Sequence, residues 1–265
     1  MTVDLLAAAR AAVRAASGLL ETARPDEIRS KENPRDLVTE WDLRSEELIR
    51  TVLEEHAPGI PVLGEEGGQA GAAPGSGSGL RWLVDPIDGT VNFAHGLPIW
   101  CVSIAVEDRG TLLAGVVHAP RLGWWFEAAR GCGAHDGAGL PLHVSNTSRL
   151  DKALLTTGFP YDRETNPRNN FAEWVHMQRV AGACRRLGSA ALDLCCVARG
   201  WFDGYWELTL KAWDCGAGAL IVQEAGGTVT DTRGGAFDPH AGEVVATNGA
   251  IHDELIAELA RVEHT

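Results

Sequence analysis

The sequence lacks any long hydrophobic run. No apolar stretch of the 265-residue chain approaches the roughly 20 residues that a membrane-spanning helix requires. The N-terminal segment carries Asp4, Arg10 and Arg14 at intervals, which favours an amphipathic helix over a secretory signal peptide. We therefore expect no membrane among the partners of this protein.

Basic residues are scarce relative to acidic ones. The chain has 23 lysines and arginines against 36 aspartates and glutamates, which gives a formal net charge of −13. A negative field of this size repels the phosphates of nucleic acids and of anionic membranes, so we expect no nucleic-acid partner. The same field favours divalent cations, because these ions bind to carboxylate oxygens.

The cysteine spacing C-x-x-C, which is typical of redox motifs and of many zinc sites, is also missing. The chain has six cysteines, and several of them lie among apolar residues. Reduced and buried thiols are the simplest interpretation, and they predict a cytoplasmic protein.

Hydrophobic periodicity predicts a mixture of helices and strands. The apolar spacing indicates helices at 4–22, from about Glu40, at 168–183, 189–199 and 212–227, and from about residue 250. Two apolar runs around Asp108-Arg109-Gly110 indicate an antiparallel hairpin. The stretch 69–79, rich in glycine and serine, cannot build a core and predicts a surface loop.

The order of these elements predicts a layered α/β fold with α+β character. Long antiparallel strand pairs dominate the first half of the chain, whereas strands alternate with helices in the second half. We therefore expect two subdomains, an N-terminal one at 1–150 and a C-terminal one at 151–265.

Acidic residues stand where several predicted strands end. Glu65 and Glu66 follow the run "IPVLG", Asp85 and Asp88 belong to "DPIDGT", and Asp214 lies in "KAWDCGAG". Hard cations that act on phosphate esters need such oxygen ligands, held rigidly with some coordination positions left open. Because Pro86 biases Asp85 towards an extended backbone, we expect a tight turn that brings the two aspartates together.

Each of these segments alone has a simpler explanation. The segment 85–89 could be an ordinary turn, and Glu65-Glu66 beside two glycines could be a solvated loop. Thr39-x-x-Asp42 could be a helix-capping box, and Asp214 could cap the helix that it opens. The presence of all of them together favours a metal site.

Five motifs resemble the inositol monophosphatase family of magnesium-dependent, lithium-sensitive phosphatases. They are "GEE" at 64–66, "VDPIDGTVNFAHGLPIWCVSIAV" at 84–106, "AWDCGAGALIVQEAGG" at 212–227, "KENPRDLVTEWD" at 31–42 and "RRLGSAALDLCCVARGWFDGYWE" at 185–207. The resemblance implies alternating helix and sheet layers, an αβαβα sandwich of the sugar-phosphatase type. It places the metal-binding motifs mainly in 1–150, and the substrate pocket with the last metal ligand in 151–265.

The resemblance also implies a ligand set for two or three magnesium ions, with manganese as an alternative and lithium as an inhibitor. Glu65, Asp85 and the backbone carbonyl of Ile87 would hold one ion. Asp85, Asp88 and Asp214 would hold a second ion, and a third, weaker ion would lie near Glu65.

Catalytic roles follow from the same resemblance. Thr90 and Asp42 would orient the attacking water with help from Glu65, and the N–H groups of Gly89 and Thr90 would hold the phosphate. Lys31 would belong to a lid, although it could equally be an ordinary solvated lysine.

The substrate pocket is implied to lie mainly in the second half. Asp88 and Glu207 would bind hydroxyls of the substrate, and the stretch "GSAALD" at 188–193, with Gly188, Ser189 and Ala190, would line the pocket. This set favours inositol 1-phosphate, a small phosphate monoester, as the substrate of a homodimeric enzyme.

Two alternatives stay open at this point. Relatives with nearly the same metal motif hydrolyse histidinol phosphate, fructose 1,6-bisphosphate or 3′-phosphoadenosine 5′-phosphate. A more remote alternative is an inactive, metal-binding interaction module built on the same scaffold.

Overall fold

The structure is a computed structural model, and it describes residues 4–25, 27–31, 33–70 and 79–262. Most of the predicted surface loop at 69–79 lies outside the described residues. Its first two residues belong instead to a short strand, Gly68–Ala70.

Seven helices and fourteen strands occur in the described ranges. The helices are α1 (Leu5–Leu20), α2 (Glu40–His56), α3 (Thr90–Ala94), α4 (Phe171–Val180), α5 (Ala190–Ala198), α6 (Ala212–Glu224) and α7 (His252–Leu259). The strands of the first half are β1 (Ile28–Ser30), β2 (Leu37–Thr39), β3 (Val62–Gly64), β4 (Gly68–Ala70), β5 (Leu80–Asp88), β6 (Cys101–Asp108), β7 (Thr111–Ala119), β8 (Trp124–Ala129) and β9 (Ala134–Asp136). The strands of the second half are β10 (Leu154–Thr157), β11 (Ala183–Arg185), β12 (Gly204–Leu208), β13 (Thr228–Thr230) and β14 (Glu243–Thr247).

Two large sheets organise the chain. The first half forms a seven-stranded sheet in the order β4-β3-β5-β6-β7-β8-β9, in which only the β3–β5 pair is parallel. The second half forms a five-stranded sheet in the order β11-β10-β12-β14-β13, with β10 parallel to both of its neighbours. The predicted hairpin is confirmed, since β6 and β7 pair across Arg109 and Gly110.

Three hydrophobic clusters define the layers. One packs α1 and α2 against one face of the seven-stranded sheet. A second fills the space between the other face of that sheet and the five-stranded sheet, and it contains α5 and α6. A third packs α4 and α7 against the outer face of the five-stranded sheet. The order helix, sheet, helix, sheet, helix confirms the predicted αβαβα sandwich.

Local sequence explains where the first two helices begin. Asp4 caps α1, because its side chain accepts a hydrogen bond from the N–H of Ala7. Thr39 and Asp42 form the predicted capping box of α2, in which the Asp42 carboxylate accepts from the Thr39 N–H at 2.8 Å. The capping interpretation of Asp42 is therefore confirmed, and it is compatible with a role of the same carboxylate at the active site.

One predicted helix is too long. The expected helix at 168–183 begins at Phe171 and ends at Val180, and the chain then forms the edge strand β11. The reason is tertiary, because Ala183–Arg185 pairs in parallel with Leu154–Thr156 of β10. The division of the chain at residue 150 stays a prediction, and α6 from the second half packs on the sheet of the first.

All six cysteines are free thiols, and five of them are buried; the exposed one is Cys132. In the described ranges, no helix combines the length and the apolar character that crossing a membrane requires.

Candidate active site

The parallel pairing of β3 and β5 brings two acidic segments together. Gly64, the last residue of β3, lies beside Val84, so that Glu65 and Asp85 follow at the same edge of the sheet. The N–H of Glu65 donates to the carbonyl of Val84 at 3.2 Å and fixes this register. The convergence expected from the sequence is therefore present at this edge.

Asp85 and Asp88 are joined by a β-bulge, and the predicted tight turn is wrong. Asp85 pairs with Ser103 and Asp88 pairs with Cys101. The two pairs are therefore three residues apart on β5 but only two residues apart on β6. Pro86 has no N–H to donate to the ladder, which favours an irregularity here. The extra residue lets both carboxylates reach the same cavity, and the N–H of Ile87 donates to Asp85 Oδ1 at 3.0 Å.

Asp214 comes from a helix and does not follow a strand. It is the third residue of α6, where its Oδ2 accepts from the N–H of Lys211 at 2.6 Å. The capping interpretation is thus correct for Asp214, and the capping carboxylate also lines the cavity.

A cavity of about 640 Å³ collects most of the predicted site residues. Those on its wall are Lys31, Glu65, Asp85, Ile87, Asp88, Gly89, Thr90, Gly188, Ser189, Ala190, Glu207 and Asp214. Asp42 is the exception, because it is fully buried behind Thr90 and does not line the cavity.

Four carboxylates line the cavity together and repel one another, and they are those of Glu65, Asp85, Asp88 and Asp214. Burial raises the pKa of Asp85 well above its ordinary value, and the charges of Glu65, Asp88 and Asp214 raise it further. Burial likewise raises the pKa of Asp214, with a contribution from Glu65. The pKa of Asp88 rises through burial as well, although hydrogen bonds from Ser189 and from the start of α5 oppose the rise.

Protein donors hold several of these carboxylate oxygens. Asp88 Oδ2 accepts from Ser189 Oγ at 2.6 Å and from the Ala191 N–H at 2.8 Å. Among the described residues, no three His, Cys, Asp or Glu side chains already stand together as ligands of one ion.

The chemistry of the donor set nevertheless fits a hard divalent cation. Four carboxylates share one cavity, two of them buried and two half-buried, and loss of solvent together with repulsion between the carboxylates raises the pKa values of Asp85 and Asp214. The carbonyl of Ile87 adds a neutral oxygen in the same wall, 3.0 Å from Thr90 Oγ1, so it is an alternative acceptor to Asp42 for the single hydroxyl proton of Thr90.

Lys31 supplies the nearest positive charge. Its Nζ lies 2.7 Å from Glu65 Oε1 and 2.6 Å from Glu66 Oε1. Burial alone would lower the pKa of Lys31, but the two carboxylates outweigh it and raise that pKa above its ordinary value. The ammonium group is therefore a counter-ion of the GEE turn in this structure, and the predicted role as a lid stays a prediction.

Thr90 and Asp42 form the hydrogen-bonded pair that the sequence predicts. Thr90 Oγ1 lies 3.0 Å from Asp42 Oδ1, while Asp42 Oδ2 accepts from Thr39 Oγ1 at 2.6 Å. Burial raises the pKa of Asp42 to about 6, although its hydrogen bonds to Thr39 and Thr90 oppose the rise. The pair can therefore take up a proton close to neutral pH.

Gly89 makes the entry into α3 possible. Its φ is +95°, a conformation that side chains with a Cβ rarely adopt. A Cβ there would lie 3.1 Å from the carbonyl oxygens of Gly188 and Ile99. The backbone of Gly89 thus lines the cavity and is in close contact with two other segments of the chain.

Glu207 lies on the opposite wall, at the end of β12. Its side chain accepts a hydrogen bond from the phenol of Tyr205, and burial raises its pKa to about 7. A Cβ on Gly158 would lie only 2.1 Å from the Glu207 carboxylate oxygens. The Glu207 carboxylate therefore occupies the position that a side chain on residue 158 would need.

Sequence reasoning missed Glu46, which organises the GEE turn from α2. Glu46 is 3% exposed, and its carboxylate accepts from the N–H groups of Glu66 and Gly67 at 2.8 Å each. Arg50 binds the same carboxylate at 2.7 Å and the carbonyl of Gly68 at 2.9 Å. The signal was present, because Glu46 stands four residues after Asp42 on the buried face of α2.

Asp193 was predicted only as the end of the pocket-lining stretch 188–193, without a role of its own, and Arg186 was not singled out; both line the cavity. Asp193 stands in the apolar run "AALDLCCVA", which indicates a core helix, and its only signal is a charge within that run.

Comparison with known proteins places these observations in a family. The inositol monophosphatase family matches residues 2–264 of the chain. An inositol-1-monophosphatase of Synechocystis sp. is 42% identical over 234 residues, covering 88% of this chain and 80% of the relative. A Pasteurella multocida protein named Nus factor SuhB is 40% identical over 237 residues, covering 89% and 87%.

Solved structures agree with the sequence comparisons. The inositol monophosphatase of Anabaena (Nostoc) sp. superposes with a TM-score of 0.89 at 39% identity, covering 98% of this chain and 96% of that one. An inositol monophosphate-bound enzyme, SaIMPase-II, gives a TM-score of 0.78 at 27% identity, covering 96% and 92%.

Proposed function

The chain belongs to the inositol monophosphatase family and is a phosphatase, and we propose that it hydrolyses inositol 1-phosphate to inositol and phosphate with the help of magnesium. One observation carries the proposal. A single cavity is lined by four carboxylates, of which Asp85 and Asp88 are buried and Glu65 and Asp214 are half-buried. Thr90 lines the same cavity and is hydrogen-bonded to Asp42, which is buried behind it. Carboxylates suit divalent cations, and the pair suits a water molecule that attacks a phosphate.

We propose that Glu65, Asp85 and the Ile87 carbonyl hold one ion, and that Asp85, Asp88 and Asp214 hold a second. A third ion near Glu65 would be the weakest, and manganese is the alternative metal. Bound ions supply an activated water and neutralise the charge of the phosphate and of the leaving oxygen. Lithium is expected to inhibit through the same ligands.

The residues of the chain itself orient the water and move its proton. When Thr90 donates to Asp42 Oδ1, a lone pair of Thr90 Oγ1 is free to accept a hydrogen bond from the attacking water. As the water loses its proton to Thr90 Oγ1, Thr90 passes its own proton to Asp42 Oδ1, whose pKa of about 6 suits this transfer. Glu65 assists as a nearby acceptor.

The phosphate and the leaving group contact different walls of the cavity. The N–H groups of Gly89 and Thr90 would bind the phosphate, since small residues there allow a close approach. Glu207 and Asp88 would accept hydrogen bonds from hydroxyls of the substrate, with Gly188, Ser189 and Ala190 beside them. A carboxylate that binds a hydroxyl discriminates against esters that lack it, which favours a polyol phosphate.

We also propose that the enzyme is a cytoplasmic homodimer in which Lys31 belongs to a lid. Free cysteines support a reducing compartment. Phe171 and Val175 are 47% and 49% exposed, and Phe159 and Phe171 stack at 5.5 Å, which gives an apolar surface for a second subunit.

A substrate panel tests the proposal. Phosphate release with magnesium would be measured on inositol 1-phosphate, histidinol phosphate, fructose 1,6-bisphosphate and 3′-phosphoadenosine 5′-phosphate, with Asp88→Asn as the blank. We expect the highest kcat/KM on inositol 1-phosphate and no release by the blank. A preference for another ester would keep the metal site and refute the substrate, whereas release from none would favour an inactive module.

A further inference from the structure

We propose that Asp193 determines specificity in this phosphatase, and that it forms with Glu207 a paired acceptor for two neighbouring hydroxyls of the leaving group. The inference rests on the proposed function and deepens it, because it names the group that the second wall of the cavity recognises. We call the three residues Arg186, Asp193 and Glu207 the hydroxyl wall.

Asp193 is a buried carboxylate with one oxygen left for a ligand. It lies in α5, is 1% exposed and lines the cavity. Its Oδ1 accepts from Thr156 Oγ1 at 2.7 Å. In the part of the chain that the structure describes, Oδ2 has no protein donor. The described polar side-chain atoms that are buried from solvent and lack a hydrogen-bond partner are Trp82 Nε1 and Asp108 Oδ1, and Asp193 Oδ2 is not one of them. This oxygen therefore opens towards the cavity.

Glu207, in strand β12, shows the same arrangement. Its Oε2 accepts from the phenol of Tyr205, and no described donor binds Oε1. Gly158 fixes where this carboxylate lies, because no Cβ fits there beside it. Asp193 and Glu207 are thus two carboxylates that each use one oxygen for a protein hydroxyl and present the other to the cavity.

The two carboxylates are close enough to affect each other. Burial raises the pKa of Asp193 well above its ordinary value, and the charge of Glu207 adds to this rise. The guanidinium of Arg186 opposes the rise at both carboxyl groups. Arg186 is exposed, and its guanidinium lies over the backbone of Gly188. A Cβ added to Gly188 would lie 2.3 Å from Arg186 Nη1.

This pattern of acceptors and one donor favours hydroxyl groups as the ligand. A second phosphate would meet two carboxylates, and an ammonium group could donate to the carboxylates but could not accept from Arg186. Neutral hydroxyls donate to the two open oxygens and can accept from the guanidinium, so each polar atom of the wall finds a partner. Two such acceptors side by side select leaving groups in which two hydroxyls stand on adjacent carbons.

The test compares two phosphate esters that differ only in their hydroxyls. Inositol 1-phosphate and cyclohexyl phosphate share a six-membered ring, and only the first carries neighbouring hydroxyls. Steady-state kcat/KM would be measured on both with magnesium for the wild type, for Asp193→Asn, and for Arg186→Gln, an exposed position where folding is not at risk. Asp253→Asn, which removes the same charge from an exposed position of α7, is the matched control.

We expect Asp193→Asn to lower kcat/KM on inositol 1-phosphate about tenfold more than on cyclohexyl phosphate, because the amide presents a donor where an acceptor is needed. Arg186→Gln should show the same bias more weakly, and Asp253→Asn should show none. Equal losses on both esters for both wall variants would mean a structural role and would overturn the inference, as would no loss on either ester.

Failure of the proposed function gives a different result. If the wild type releases phosphate from neither ester nor from p-nitrophenyl phosphate, the chain is no phosphatase under these conditions and the hydroxyl wall has no reaction to direct. If the wild type hydrolyses cyclohexyl phosphate as well as inositol 1-phosphate, the phosphatase stands and the hydroxyl wall is refuted.

Discussion

Replacement of Glu46 by glutamine tests how the GEE turn is held. The Glu46 carboxylate accepts four hydrogen bonds at 2.7–3.0 Å, two from the turn and two from Arg50. Hydrogen bonds to a charged group contribute about 1.5–3 kcal/mol each. Three of the bonds go to Oε1 and only that from the Glu66 N–H goes to Oε2. Glutamine with its oxygen at the Oε1 position therefore loses one bond, places an NH₂ group against the Glu66 N–H, and removes the charge that strengthens the other three.

This reasoning predicts that Glu46→Gln lowers the free energy of unfolding by about 3 kcal/mol, which is a fall in Tm of about 6–12 °C for a chain of this size. The turn also carries Glu65, so the magnesium concentration that gives half-maximal activity should rise. Chemical and thermal unfolding, with and without magnesium, measure the first effect, and a magnesium titration of activity measures the second. Glu47→Gln, on the exposed side of α2, is the matched control.

A second substitution distinguishes the loss of the Glu46 hydrogen bonds from a general destabilisation of the fold. A Cβ on Gly64 would lie 2.6 Å from the Glu46 carboxylate, so Gly64→Ala should destabilise the wild type. In a Glu46→Ala background that carboxylate is gone, and the same methyl group should cost at least about 1 kcal/mol less. Additive effects, or a Glu46→Gln protein as stable as Glu47→Gln, would refute this account of the turn.

Three further predictions concern the cavity. Thr90→Val should lower kcat about 100-fold or more with little change in KM, because the proton path to Asp42 is cut, and steady-state kinetics would detect an unchanged kcat as a contradiction. The folded pKa values of Asp42, about 6, and Glu207, about 7, exceed their ordinary values, so the folded state binds more protons than the unfolded one across roughly pH 4–7. Without metal, Tm should therefore fall as the pH rises through this range, and saturating magnesium should weaken the trend; a rising Tm without metal would contradict it. Gly158→Ala should push Glu207 away and lower kcat/KM on inositol 1-phosphate more than on cyclohexyl phosphate, whereas equal effects would place Glu207 outside the leaving-group site.

The fold was predictable where local patterns and the family resemblance agreed. The helices from Glu40 and at 212–227 begin with recognisable capping residues, and the β6–β7 hairpin has a clear turn. The end of α4 was not predictable, because Ala183–Arg185 joins a strand that lies almost 30 residues away in the chain. Such pairing depends on tertiary contacts that no local window contains.

The site was predictable in its composition and less so in its arrangement. The resemblance named the residues of the DPIDGT motif, and the structure places them in one cavity. The bulge between Asp85 and Asp88 was missed, since it depends on the register with β6. Glu46 was missed, and Asp193 was predicted only as part of a pocket-lining stretch, because a charged residue in a helical pattern gives no indication of its partners until the neighbouring elements are known.

The origin of Asp214 has a consequence for how the enzyme is made. A ribosome-bound chain that ends before α6 already contains Glu65, Asp85 and Asp88, yet it lacks the fourth carboxylate. Because α6 fills the middle layer between the two sheets, Asp214 reaches the cavity only when both sheets have closed around that helix. If Asp214 holds a metal as proposed, the nascent protein would gain its full ligand set only when assembly is nearly finished, and full magnesium affinity would report completion of the fold.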